Sequence, residues 1–330
     1  MVIRLIIAGF AVAVVALAPR SRWSALAALA AGAVSVLLLG GWVARDTLVP
    51  VGPMLLFVTA ALGLAALAER AGLAEGAAAR LAGAGGPRRV YALVCTCSAL
   101  LTFVVSLDGA VVLIVPLVRA LSRRTGIPAA PLVAGAVGVA NAASLAVPEG
   151  NRTNLVVMSR LGLSPAQFVG HLFLPGLAAA LVCALVPVRR LRDPAAPAAE
   201  GCASFVVPWR IGAQMTGMLA ALDGIAPAFS LHGGGLVALL AVAGGTAAAA
   251  ALANYLPVSA SVAALATAGP GAYAALIGLS VGALATAHGS VATLIARDLS
   301  GDRRPWTRAR APASAAAVLL ATVLLWALSS

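Results

Sequence analysis

Four short polar clusters interrupt a chain that is otherwise apolar, and they hold the residues with usable chemistry. Asp108 and Gly109 break the run 90–121. Glu149, Gly150, Asn151, Thr153 and Asn154 break the run 131–158. Asn254 and Pro257 break 235–268, and Thr286, His288, Gly289, Ser290 and Thr293 break 272–296. A carboxylate in an apolar segment is costly to place and is by default a functional group. Burial disfavours its charged form, which is the property of a proton carrier. Amides and hydroxyls beside a helix break can coordinate an ion or hold an oxygen-bearing solute, and the helix start beyond the break adds positive dipole. His288 is a further candidate for proton exchange. Plainer uses exist for the same atoms: Asp108 as a cap of its tip, Glu149 and Arg152 as an internal pair three residues apart, His288 as a hydrogen-bonded spacer.

The background explains why these clusters stand out. Of 330 residues 62% are hydrophobic and 10% charged, and the mean hydropathy is +1.03. Soluble domains run near 45–50% apolar and about a quarter charged, so this chain belongs in lipid. The formal charge of +12 comes entirely from arginine, with 22 arginines against 10 acids. The arginines sit in short breaks between apolar runs, which excludes a nucleic-acid face. Cys95, Cys97, Cys183 and Cys202 lack the spacing of a metal site or disulfide framework, and no cofactor or metal is expected. No nucleophile and base have the spacing of a catalytic pair, which makes an enzyme the weakest reading, and none is expected.

The positioning elements follow from length and punctuation. Apolar segments at 3–18, 24–43, 50–67, 165–187, 211–226 and 311–328 are expected to span a bilayer. The runs 90–121 and 235–268 read as re-entrant hairpins with tips at Asp108 and Asn254. The first has a second arm of about 11 residues, too short for about 30 Å of hydrocarbon. The runs 131–158 and 272–296 read as broken helices, whose freed backbone groups are tolerated only against protein or a water-filled cavity. The stretch 71–85 is expected to lie along the inner surface, and 193–210 to be a Pro/Ala linker on the cytoplasmic side.

The order hairpin, broken helix, span occurs twice. An offset of 139 superimposes Gly150 on Gly289, Asn151 on Ser290, Asn154 on Thr293 and Asn141 on Ser280. With the N-terminus outside, 18 of the 22 arginines fall inside, Arg4, Arg45 and Arg160 outside, and Arg152 at depth, as the positive-inside rule asks. The two hairpins then open to opposite sides. The fold class is therefore all-α, a polytopic membrane protein with two inverted repeats: scaffold helices over 1–49, a first repeat over 50–192, the linker, and a second repeat over 211–330. Such a pattern points to a secondary transporter with its site near the midplane. His171, His232 and Asp223 read as interfacial.

At the level of motifs the chain resembles the ion transporter superfamily, and within it the permeases that include arsenite efflux pumps and sodium/proton antiporters. LDGAVVLIVPLVRAL (107–121) is similar to the family's Asn-Asp hairpin, through Asp108, Gly109 and Pro116. NAASLAVPEGNRTNLVV (141–157) is similar to its Ser-Asn-x-Thr-Asn break, through Gly150, Asn151, Thr153 and Asn154. ANYLPVSA (253–260) resembles its second tip, and GLSVGALATAHGSVATLIARDL (278–299) resembles the arsenite segment through Thr286, Gly289, Ser290, Ala292, Thr293 and Leu294. Leu107 stands where the first-tip Asn is usual, Tyr255 replaces the second tip's second Asn, and Ser280 and Leu284 replace Asn positions in the last segment. The resemblance implies proton-coupled export of arsenite, antimonite or a similar small oxyacid from the cell, with Asp108 as proton carrier. It also implies insertion in the plasma (inner) membrane and a homodimer. A sodium/proton antiporter or dicarboxylate transporter of the same superfamily is the alternative, and a non-transporting accessory subunit the alternative of another class.

Overall fold

A computed structural model describes residues 2–17, 22–39, 51–191, 209–222, 235–265, 267–300 and 310–330. The linker expected over 193–210, apart from its last two residues, lies outside the described residues, as do Asp223, His232 and Cys202. Every regular element among the described residues is helical. In chain order they are α1 (Val2–Leu17), α2 (Arg22–Leu39), α3 (Val51–Arg70), α4 (Leu73–Ala82), α5 (Pro87–Val104), α6 (Leu107–Thr125), α7 (Ala129–Ala143), α8 (Arg152–Leu161), α9 (Pro165–Leu185), α10 (Trp209–Leu222), α11 (Leu236–Ala253), α12 (Tyr255–Leu265), α13 (Pro270–Ile277), α14 (Val291–Ser300) and α15 (Arg310–Ser329). Pro165–Arg190, Leu236–Ala253 and Arg310–Ser329 are long and apolar enough to cross a membrane. The chain is a membrane protein.

The expected breaks fall where the sequence places them. The first separates α7 from α8 by an irregular stretch with a single 3-10 turn at Pro148–Gly150. α7 ends at Ala143 with Ser144 as its C-cap, and Val147 is held extended before the proline. The second break follows α13, a π-turn at Gly278–Gly282 and a 3-10 turn at Ala283–Ala285. One expectation is corrected: the second arm of the first hairpin is not short. α6 runs for 19 residues, about 28 Å at 1.5 Å per residue, because Pro116 is accommodated inside the helix and its basic end extends past Arg119 to Arg123 and Arg124. The matching arm α12 has 11 residues.

Helix packing repeats itself across the two halves. α5 packs on α7 and α11 on α13 with its π-turn, while α9 and α15 pack on each other. The crossed pairs are the informative ones: α6 packs against α14 of the other half, and α12 against α8. Each hairpin's second arm thus lies on the helix that follows the other half's break. Outside this core, α10 packs on α2 and α1. The backbone of α2 comes so close that a Cβ on Gly217 would run into Ala28 and Leu29, the small-residue contact that suits helix pairs in lipid. Gln214 Nε2 donates to Ser24 Oγ at 2.9 Å across the same contact.

The breaks are closed by two glycines in equivalent places. A Cβ at Gly150 would meet the backbone of Ser144, and one at Gly289 the backbone of Ala283. Ser144 and Ala283 are themselves 139 apart, the offset that relates the glycines. Both chain segments turn back on themselves at van der Waals distance, so there is no room for a side chain. α4 is fastened to the basic end of α6: Arg123 NH2 and Arg124 Nε reach the two carboxylate oxygens of Glu75, at 2.5 and 3.3 Å.

Two predictions follow from this packing. Gly150→Ala or Gly289→Ala is expected to destabilise the protein by about 1–3 kcal/mol through overpacking, whereas Gly244→Ala, which faces open space, is expected to be neutral or stabilising by up to about 1 kcal/mol. Thermal unfolding of the three variants in detergent checks this. The hydrogen bond from Arg123, aided by Arg124, holds the Glu75 carboxyl below its ordinary range. A depressed carboxylate contributes stability above its unfolded pKa and loses it as pH falls through the folded value. Glu75→Gln should therefore cost about 0.2–1 kcal/mol at neutral pH, small because the pair is exposed, and nothing in acid; unfolding midpoints across pH measure the difference.

Candidate functional site

Both tips force the backbone into an uncommon region. Ser106 has φ 124° and Asn254 φ 70°, and non-glycine residues held there cost about 1–3 kcal/mol each unless their surroundings fix them. Among the described residues these are the two non-glycine positions with positive φ. At the first tip, Ser106 Oγ accepts from Gly109 N at 3.5 Å and opens α6, whose first turn carries Asp108. At the second, Asn254 Oδ1 accepts from Leu256 N at 3.1 Å. Its amide nitrogen donates to His288 O at 2.6 Å, and Tyr255 N donates to Gly289 O at 2.7 Å.

The breaks satisfy their own freed carbonyls with side chains from the helix beyond. Asn154 Nδ2 donates to Ser144 O at 2.8 Å and Val147 O at 3.2 Å. Thr293 Oγ1, the residue at the same offset, lies 2.6 Å from Ser290 O and 3.2 Å from Ala287 O. Asn151 caps α8 by accepting from Thr153 N at 3.2 Å. Thr286 Oγ1 donates to Ala251 O at 2.7 Å, and His288 Nε2 sits 3.2 Å from Leu252 O, so the second break is also bonded to the end of α11.

What these bonds leave open is concentrated at the tips and breaks. Asp108 is 8% exposed, and its Oδ1 has no hydrogen-bond partner among the described residues. The same holds for Asn141 Oδ1, Asn151 Nδ2, Thr153 Oγ1, Asn154 Oδ1, Ser280 Oγ and Ser290 Oγ. Asn141 and Ser280, and Asn151 and Ser290, are again pairs 139 apart. Buried polar atoms normally find partners, and atoms left without one are open to a polar solute or ion. Arg152 and Tyr255 both act electrostatically on Asp108. Since Tyr255 N is bonded to Gly289 O, the starts of α6, α8, α12 and α14 gather in one place.

The structure thus gathers Asp108 at the first tip, Asn151, Thr153 and Asn154 at the first break, Asn254 at the second tip and His288, Gly289, Ser290 and Thr293 at the second break. Gly109 and Pro257 are buried behind their tips, and Gly150 closes its break. Glu149 is exposed, and the charge that acts on Asp108 is that of Arg152. That role was missed in the sequence, although a signal is present there: a cation at the first position of a helix opposes the helix dipole and needs a nearby anion. Arg119 was counted only as an inner charge, yet it is buried and donates to Leu299 O at 3.2 Å, joining α6 to α14. His171 stacks on Tyr273 with ring centroids 4.6 Å apart. Among the described residues no group of His, Cys, Asp and Glu could hold a metal ion.

Asn154→Ala removes the donor shared by two break carbonyls. The loss is expected to be about 1–3 kcal/mol, and Asn154→Asp, which keeps the shape but not the donor, should cost at least as much. Denaturant or thermal unfolding of both variants beside wild type is the check.

Comparison with known proteins agrees with the membrane architecture. The profile of the CitMHS family, described as citrate transporter, matches residues 2–329, nearly the whole chain. No curated protein matches it.

Proposed function

The chain belongs to the citrate transporter family, and from that premise we propose that this secondary transporter carries a small carboxylate or similar oxyacid anion together with protons, using Asp108 as the proton carrier. The observation that carries the reading is the buried Asp108 carboxylate, with one oxygen unpartnered, within electrostatic reach of the Arg152 guanidinium. A bound anion and ionised Asp108 compete for the same cation. Protonating Asp108 releases Arg152 to the solute, so proton and anion bind together and cross together. The starts of α6, α8, α12 and α14 add positive dipole at the same place, and Asn151, Thr153, Asn154, Asn254, Ser290 and Thr293 line it.

The two element sets are inverted repeats in this reading, with re-entrant hairpins whose tips meet at the midplane and a hydrocarbon-facing scaffold of α1, α2 and α10. The cytoplasmic face carries the arginine-rich ends. The crossed packing of α6 on α14 and α12 on α8 supports the inverted relation. Export of neutral arsenite rests on the residue pattern of 286–294. It draws less support here, because Thr293 Oγ1 is committed to Ser290 O and Ala287 O and a neutral solute gains little from Arg152.

Labelled citrate uptake into proteoliposomes tests the proposal, with arsenite as the competing probe. Uptake is expected to accelerate when the citrate side is acid. In Asp108→Asn the acceleration should disappear while citrate/citrate exchange persists, and Arg152→Gln should lower both by about 10- to 100-fold, the worth of a hydrogen bond to a charged group. Gradient-driven uptake at the full rate in Asp108→Asn would sink the mechanism.

A further inference from the structure

The two tips occupy equivalent places but are not held equally. The second is stapled to its break by side chains: Asn254 Nδ2 to His288 O at 2.6 Å, Thr286 Oγ1 to Ala251 O at 2.7 Å, and His288 Nε2 near Leu252 O at 3.2 Å. Its backbone adds Tyr255 N to Gly289 O at 2.7 Å. The residue types explain why the first tip lacks the same staple. At the 139 offset Val147 stands where Thr286 is, with no hydroxyl to donate. Glu149 stands where His288 is, and its side chain is exposed. Ser106, which carries the positive φ of the first tip as Asn254 does of the second but lies 148 residues before it, is too short to reach across and accepts from its own turn at Gly109 N. Among the described residues no hydrogen bond joins residues 105–109 to 144–151. At the tips and along the broken helices the unpartnered buried atoms divide the same way, with Asp108, Asn141, Asn151, Thr153 and Asn154 in the first half against Ser280 and Ser290 in the second.

We propose that coupling is confined to the first half: the first tip is the moving element that binds the proton, and the second is locked from within, with Thr286 and His288 occupying the place that coupling takes in the first. This rests on the proton-coupled reading above and deepens it. The chemistry of the open atoms supplies the switch. Asn141 Oδ1, Asn154 Oδ1 and Thr153 Oγ1 can all accept a hydrogen bond, and ionised Asp108 has none to donate. A proton on the carboxyl turns Asp108 into a donor that can close the tip onto the break, while Arg152 is released. Arg152 and Tyr255 are the charged and titratable groups that act on Asp108 from the neighbouring elements. His288 is here a positioning residue.

Hydrogen–deuterium exchange of the full chain in lipid nanodiscs reads this directly, at one pH and normalised to intrinsic amide rates. Peptides over 252–259 are expected to exchange about tenfold more slowly than peptides over 103–110. Thr286→Val and His288→Ala, measured separately so that one poorly folded variant does not decide the matter, should each raise exchange at the second tip alone. Asp108→Asn carries a permanent donor and should slow the first tip while leaving the second unchanged. Equal exchange at the two tips in wild type, or a response of the second tip to Asp108→Asn as large as that of the first, overturns the inference. Loss of citrate uptake with the asymmetry intact would strike the transport reading alone, and symmetrical exchange with intact gradient-driven uptake would strike this inference alone.

Discussion

A helix that ends inside an apolar environment leaves backbone donors and acceptors that no water can satisfy. Four such ends meet in this protein, at two tips and two breaks, and most of its distinctive residues answer that one constraint. Asn154 and Thr293 bond the carbonyls released at the breaks. Gly150 and Gly289 let each segment fold back against Ser144 and Ala283, and Asn254 ties tip to break. Polar atoms left over after these demands are met, Asp108 Oδ1 foremost, are those available to a solute.

The energetic balance at the site is set by charge. Arg152 at the start of α8 is unfavourable on dipole grounds and Asp108 is unfavourable on burial grounds; the attraction between them lowers both costs in part. Removing the negative charge by protonation shifts that balance toward an incoming anion. In this account transport and stability draw on the same pair, and the strained backbone at Ser106 is a point where a small change in hydrogen bonding can move a helix start. At the second tip the equivalent strain at Asn254 is held by bonds from both sides.

Much of this was legible in the sequence because it depends on local rules. Pro148, which holds Val147 extended, and the glycine-containing run 286–290 mark breaks by local rules, and the 139 offset relates Gly150 to Gly289 on sequence alone. The length of α6 was misjudged for a physical reason: Arg119, Arg123 and Arg124 look like a membrane boundary, yet Arg119 is satisfied inside the protein by Leu299 O and the helix continues to a surface pair with Glu75. The electrostatic influence of Arg152 on Asp108 could not be read from spacing, since it links residues 44 positions apart through packing between elements. The placement of α10 beside α1 and α2 is likewise a long-range choice, made by the fit of Gly217 against Ala28.

The protonation state of Asp108 is the hinge of the account, and infrared difference spectroscopy of the full chain in bilayers observes it. Addition of citrate at fixed pH is predicted to produce the carbonyl stretch of a protonated carboxyl group from the protein, and that band should be missing in Asp108→Asn. Citrate binding with no such band, or with the same band in Asp108→Asn, would contradict it.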